Sequence, residues 1–300
     1  MGKAKVISSD DINFPREENK FDKWLVREYF MCGSVDEVMR KHSFGLPISY
    51  ANYQRILAKW EIVKAAGPNS QMNEILGFLT KLVEKNVPFE YIYRNMPPSF
   101  KPSAATIYRI LSYIKEGVTR RIATGLILTS GEGSKILVGE DVSTPRVELG
   151  KPFGAISIPM GFSRKRDSRE EAILRVLQQE VFTEFAIEKT MPNIIPIRPK
   201  PFMFLDIADV RVEIFHLNLP RKVSSLKNFM SYKVANYKYL DIENEELLGK
   251  LKEKFRVGVN EAIAGFKKYK ELKARNLVFN PLQYKSDLNY FLAEEKANPF

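Results

Sequence analysis

Three hundred residues, 44% hydrophobic and 28% charged, suit a globular chain of two domains or one large domain with an appendage. A formal net charge of +11 and a pI of about 9.4 predict a polyanionic partner. A single cysteine, Cys32, excludes an internal disulfide framework and a cysteine-based zinc centre, and His42 and His216 alone give poor support to a histidine-ligated metal or a Ser-His-Asp triad.

The first twenty residues read as a flexible arm, 1–20. The polar run MGKAKVISSDDINFPREENK has no apolar core of a secretory signal. Lys3, and Val6 where a myristoylation signal wants Ser or Thr, argue against a lipid at Gly2. No run approaches the roughly 18 apolar residues of a membrane span, so the expectation is a cytoplasmic chain with no membrane partner.

Residues 21–117 read as an all-α domain. Trp24, Leu25, Tyr29 and Phe30 recur at helical spacing and stop at Gly33, a good C-cap. Ser34 is placed to cap VDEVMRKH, with Glu37 completing a capping box. Gly45 and Pro47 break the pattern, and YANYQRILAKW restarts it with Tyr53, Ile56, Leu57 and Trp60 on one face. This order resembles a helix-turn-helix DNA reader, with EIVKAAGPNS as a short strand and turn. Asn52, Gln54, Arg55 and Lys59 lie on or beside the opposite face, and Asn, Gln and Arg can contact base edges in a major groove. A second unit follows: QMNEILGFLTKLVEKN, VPFEYIYRNM and SAATIYRILSYIKEG, ended by Gly117. Arg109 lies on its reading face with Thr106 flanking it, and Lys101 and Ser103 lie at the N-terminus of the last helix, where backbone amides favour phosphate. The domain is thus predicted to be a tandem helix-turn-helix, although 17 basic against 13 acidic residues over 1–118 leave it a net charge of only +4. Protein docking and a purely structural bundle are the competing readings.

From 118 the texture turns β-rich. RRIATGLILTS and SKILVGEDV flank GEG and predict a hairpin. IIPIRPKPFMFLDIADVRVEIFHLNLP predicts two or three strands, and YKYLDIENEELLGKLKEKFRVGVNEAIAGFKKY a turn and one amphipathic helix. His216 reads as a half-buried structural histidine, and Phe202 and Phe204 as core. Residues 269–300 read as a tail whose last helix docks on the body or on a partner.

Between these runs lies IPMGFSRKRDSREEAILRVLQQEVF, residues 158–182. Gly161, then Asp167, then a seven-residue spacer before Arg175, is similar in register to the Nudix box, Gly-x5-Glu-x7-Arg-Glu-aliphatic-x-Glu-Glu-x-Gly. The resemblance spans about 119–268, implies a Nudix-type α/β/α sandwich around a mixed sheet for 118–268, and gives the whole chain an α/β fold class. Members of that family gather carboxylates on one helical face to hold Mg2+ against a substrate pyrophosphate. Here Val176, Leu177, Gln178, Gln179 and Glu180 follow Arg175, and Phe182 replaces the closing glycine. Mg2+ needs oxygen ligands, and Val176 supplies none while Gln179 offers a neutral carbonyl.

The sequence reading is therefore a DNA-binding regulator with a non-catalytic Nudix-like domain that senses a nucleotide-type ligand or forms a homodimer, with no catalytic residue and no cofactor. Its ligand set is Arg146, Lys151, Arg164, Lys165, Arg166, Arg175, Gln179 and Glu180, since Arg pairs with phosphate oxygens. Solvated loops, and an internal ion pair for Arg175 and Glu180, are the plainer readings. Two rivals stand beside it. One is a divergent hydrolase of nucleoside diphosphate derivatives, holding Mg2+ with Asp167, Glu180 and a further carboxylate such as Glu213 or Glu243. The other is a protein-interaction scaffold.

Overall fold

The computed structural model describes residues 14–64, 112–113, 115–131, 135–142 and 154–294. Three helices come first: α1 (Glu18–Cys32), α2 (Val35–Lys41) and α3 (Tyr50–Lys59). α1 ends at Gly33, as predicted, in the left-handed conformation at φ 83°, with its N–H donating to the Tyr29 carbonyl. The Ser34 hydroxyl accepts from the Glu37 N–H at 3.1 Å, while the Glu37 carboxylate pairs with Arg40 at 2.8 Å rather than closing a capping box. Ser49 caps α3 by accepting from the Asn52 N–H at 3.2 Å. Residues 42–49 join α2 to α3, a longer link than the roughly three- to four-residue turn of a helix-turn-helix.

The predicted stripe on α3 is inside: Tyr53 and Leu57 are fully buried, and Ile56 and Trp60 are partly so. They pack with Leu25, Val26, Tyr29 and Phe30 of α1 and Val35 and Val38 of α2. The second predicted helical unit, with Lys101, Ser103, Thr106 and Arg109, lies outside the described residues except at its end. There 112–113 and 115–116 are helical and Gly117 turns left-handed at φ 68°. Of the predicted strand and turn after α3, residues 62–64 are irregular and the remainder lies outside the described residues.

Eight strands of the described residues form one mixed sheet. β1 (Arg121–Ser130) and β2 (Lys135–Asp141) are the expected antiparallel pair, followed by β3 (Ala155–Ser157) and β4 (Met160–Ser163). β4 runs antiparallel to β1, and helices α4 (Arg169–Glu180) and α5 (Thr183–Ile187) follow it. β5 (Met203–Ile207) and β6 (Val210–Leu219) come next, and β6 lies parallel to β1 from Arg121↔Val210 to Ser130↔Leu219.

Strand residues alternate between two cores, as the pleat requires. Ile127, Ile136, Val138, Val212 and Ile214 face one layer; Leu126, Leu128, Leu137, Phe215 and Leu217 face the other. Ile173, Val176 and Leu177 of α4 cover the second face, and Val259, Ala262, Ile263 and Phe266 of a later helix cover the first. The result is an α/β/α sandwich around a mixed sheet.

Three parts of the C-terminal half differ from the sequence reading. YKYLD belongs to a strand, β7 (Val234–Asp241), paired with β2; its lysine and asparagine hide the alternation by which Tyr237 and Tyr239 face one core and Leu240 the other. The single helix predicted after it is two, α6 (Glu245–Leu251) and α7 (Val259–Ala274). Between them the backbone pairs with β3, the Arg256 N–H donating to the Ile156 carbonyl at 2.9 Å, and a helix cannot continue through that bond. In the tail, the last helix docks on the body as one reading has it, α8 (Asp287–Glu294) packing on β5, while the strand before it, β8 (Leu282–Lys285), which adds in parallel to β5, is the part not expected.

Gly258 starts α7 at φ 92°, where a Cβ would collide with Ile207 Cδ1 and stand 3.1 Å from Leu205 Cδ2. We expect Gly258→Ala to cost about 2–3 kcal/mol in urea denaturation, from left-handed strain plus overpacking. Gly249→Ala in α6, where a Cβ meets nothing within 4 Å, should instead be neutral or stabilising by up to about 1 kcal/mol.

Candidate functional site

The register of the 158–182 stretch places the candidate site on α4, and the polar positions of that helix can be followed one by one. Ser168, not Asp167, caps it: the Ser168 hydroxyl accepts from the Glu171 N–H at 3.1 Å, and the Ser168 N–H donates to Glu171 Oε2 at 2.8 Å. This reciprocal pair fixes the first turn of the helix. Asp167 is thereby freed to pair with Arg175 Nη2 at 2.7 Å and to accept from the Arg164 N–H, closing the box loop on itself.

Arg175, expected as a ligand contact, is 3% exposed and turned into the protein. Its guanidinium also donates to the Lys64 carbonyl at 2.8 Å and the Phe162 carbonyl at 3.4 Å, using its rigid fork to tie the loop, β4 and the segment after α3 together. The plainer reading of an internal ion pair holds for Arg175, with Asp167 as partner instead of Glu180. Gln178 reinforces the same junction, accepting from the Val63 N–H at 2.9 Å and donating to the Glu61 carbonyl at 2.8 Å. Trp60 Nε1 donates to the Ile187 carbonyl at 3.0 Å, and Arg27 and Glu184 pair at 2.9 Å. The N-terminal helices and the sandwich therefore share one continuous packing, with Ala186 and Ile187 of α5 inside the N-terminal core.

The face expected to carry metal ligands is differently occupied. Val176 is 1% exposed and belongs to the core beneath the sheet. Gln179 Oε1 accepts from Lys233 Nζ at 2.8 Å, and its Nε2 is buried without a hydrogen-bond partner. Glu180 Oε2 accepts from the Met160 N–H at 3.0 Å. Burial raises the Glu180 carboxyl above the usual carboxylate range, while Lys233 and Arg256 pull it back and Asp141 pushes it up. Arg256 stands 3.6 Å from Asp141. Tyr237, whose hydroxyl donates to the Glu180 carbonyl at 2.6 Å, is raised by burial and then by Glu180. Lys233, Arg256 and Asp141 thus join the site although sequence reasoning missed them. Lys233 is 54 residues from Gln179, and no local pattern pairs the two.

These residues do not fit a divalent cation. Among the described residues no three His, Cys, Asp or Glu side chains are gathered as a metal would need. Asp167 is held by Arg175, Glu213 by Arg169 at 3.1 Å and Glu243 by Lys270 at 3.2 Å. The set Asp167, Glu180 and Glu213 or Glu243 is therefore not assembled.

Of the other predicted ligand residues, Arg164, Lys165 and Arg166 are exposed on the loop, and Arg146 and Lys151 lie outside the described residues. On α3, Asn52, Arg55 and Lys59 are exposed, with Arg55 Nη1 donating to Asn52 Oδ1 at 3.0 Å and Lys59 reaching Asp22 at 3.2 Å. Gln54 is half-buried with its Oε1 enclosed and unpartnered, which removes it from the exposed face.

His216 is half-buried as expected, its Nε2 2.9 Å from Thr129 Oγ1. Phe202 is core, whereas Phe204 is only partly buried.

Solved structures similar to this chain are Nudix hydrolases. A MutT protein from Methanosarcina mazei is 13% identical over 52% of this chain and 96% of its own, at a TM-score of 0.36. A Nudix hydrolase from Nitrosomonas europaea is 14% identical over 55% and 78%, at 0.37, and an Ap4A hydrolase from C. elegans 13% identical over 52% and 99%, at 0.35. No protein-family model and no curated protein matches the sequence.

Two outcomes follow from the geometry. Arg175→Ala strands Asp167 and two carbonyls in a nearly dry site and should cost about 3–5 kcal/mol in chemical denaturation. Burial, with Lys273 and Lys270 nearby, holds the His216 imidazole down to about 4. The unfolded chain then binds the extra proton between about pH 6.5 and 4, so stability falls as pH drops through that window. His216→Gln should flatten this limb of a stability–pH profile, with an NMR titration of His216 placing its midpoint well below 6.

Proposed function

We propose that the chain is a DNA-binding regulator in which a Nudix-type domain recognises, and does not hydrolyse, a nucleotide-type ligand. One observation carries the second half of this reading. The box helix spends its polar side chains on the protein itself: Arg175 on Asp167 and the Lys64 carbonyl, Gln178 on residues 61–63, and Gln179 on Lys233. A side chain already holding a backbone carbonyl in a dry interior is not available to a metal or a phosphate.

The exposed basic loop 164–166 remains as the ligand contact on this side, where arginine forks suit phosphate oxygens. For nucleic acid, the exposed Asn52, Arg55 and Lys59 of α3 and the chain's charge of +11 support the reading. A ligand shifts only states that it binds unequally. The junction of Arg175 and Gln178 with residues 61–64 gives such a shift a path from the box loop to α3. Homodimerisation would fit a reader of two half-sites.

One observation favours the hydrolase reading: Asp141 and Glu180 feel each other's charge across the end of α4, the beginning of a carboxylate pair. Mg2+-dependent cleavage of any member of a nucleoside diphosphate panel would establish it, and the non-hydrolytic reading expects none.

For DNA, fluorescence anisotropy with a labelled duplex should show binding that weakens steeply with added salt, by roughly a hundredfold or more between 50 and 200 mM for several phosphate contacts. Arg55→Ala with Asn52→Ala should weaken it about tenfold. Affinity unchanged by either would remove α3 as the reading element.

A further inference from the structure

Lys233 is placed with more care than a solvated lysine requires. The Met230 N–H donates to the Val181 carbonyl at 2.8 Å, and the Thr183 N–H donates to the Met230 carbonyl at 3.0 Å. The Ser231 hydroxyl then donates to the Gln179 carbonyl at 2.7 Å and accepts from the Lys233 N–H at 2.9 Å. The backbone of 230–233 is thus laced to the C-terminal end of α4 immediately before β7 begins. From that anchor the Lys233 side chain turns back onto the helix, with Nζ 2.8 Å from Gln179 Oε1 and close enough to Glu180 to favour its ionised form. Arg256, held in place by the bond from its N–H to Ile156, adds a second positive charge to the same group and stands 3.6 Å from Asp141.

We infer that Lys233 is a built-in cation that takes the place of a divalent metal on the acid face of α4, with Arg256 as its second. The physical argument is charge balance in a poorly solvated place. Two acidic side chains, Glu180 and Asp141, lie beside two basic ones, Lys233 and Arg256, so positive charge already stands where a dication would have to sit. A dication entering it would meet Lys233 and Arg256 at close range, and like charges repel strongly where water is scarce. The helix meanwhile offers a valine and a glutamine amide where oxygen anions would be required. Gln179 suits this arrangement: its carbonyl accepts from an ammonium as it would coordinate a metal, yet it adds no charge for Lys233 to neutralise. The inference rests on the Nudix register of α4 taken above, and it is independent of DNA binding.

Mn2+ binding to the full-length chain, read by electron paramagnetic resonance, tests it together with thermal melts in millimolar Mg2+. The wild-type chain should show no bound Mn2+ that Glu180→Gln removes, and Mg2+ should leave its melting temperature unchanged. Lys233→Met should gain Mn2+ affinity, and Lys233→Met with Gln179→Glu should bind about tenfold tighter still, because a cation leaves and an anion arrives. Adding Glu180→Gln should abolish both gains. Lys233→Met alone should also become Mg2+-stabilised in the melt, a readout that survives if the double variant folds poorly. The inference is overturned if wild type holds a Glu180-dependent Mn2+, if Mg2+ raises its melting temperature as much as that of Lys233→Met, or if folded Lys233→Met gains neither response. Failure here would leave duplex binding through α3 untouched, so the two readings are separable.

Discussion

The guanidinium of Arg175 is the constraint on which the arrangement depends. A cation 3% exposed has to spend its donors inside the protein, and Arg175 spends them on Asp167, Phe162 and Lys64. Each bond reaches a different structural level: the box loop, the strand before it, and the segment leaving the N-terminal helices. A planar fork with five donors can join three such partners at once, which an ammonium cannot do with the same rigidity. The loop's shape, the placement of α4 and the contact between the two halves are consequently one problem with one solution.

That coupling gives the chain its architecture. Among the described residues, Ala186 and Ile187 of α5 share the core of the three N-terminal helices, and Trp60 crosses to the Ile187 carbonyl. Ion pairs at the rim, Arg27 with Glu184 and Lys23 with Glu188, are half-exposed and add little energy. The apolar contact and the dry hydrogen bonds of Gln178 do the holding.

Most of the architecture is legible in the sequence because it rests on local signals. Gly33 must stop α1, the hairpin strands carry uninterrupted β-branched and aliphatic runs, and the Gly161–Asp167–Arg175 spacing marks loop and helix. What escapes is non-local. β7 looks like a turn because Lys238 and Asn236 interrupt its apolar residues, and only pairing with β2 makes it a strand. The split between α6 and α7 depends on a bond to β3, a partner no helical pattern reveals. The candidate site was half visible. Val176 and Gln179 can be read directly, but the lysine that answers Gln179 follows two intervening strands, and charge alone does not single it out among 47 basic residues.

The polar and apolar positions at the end of α4 each have an answering contact from elsewhere in the chain. Glu180 is a half-buried carboxylate whose side chain accepts from one backbone N–H, a costly arrangement without further compensation. The cost is met from two directions. Val176 joins the apolar layer under the sheet and contributes burial, and Lys233 and Arg256 supply the positive charge that the carboxylate needs. An additional acid at position 179 would add a negative charge beside Glu180 without producing a coordination shell. The helix is therefore held in its present chemistry by several residues that depend on one another.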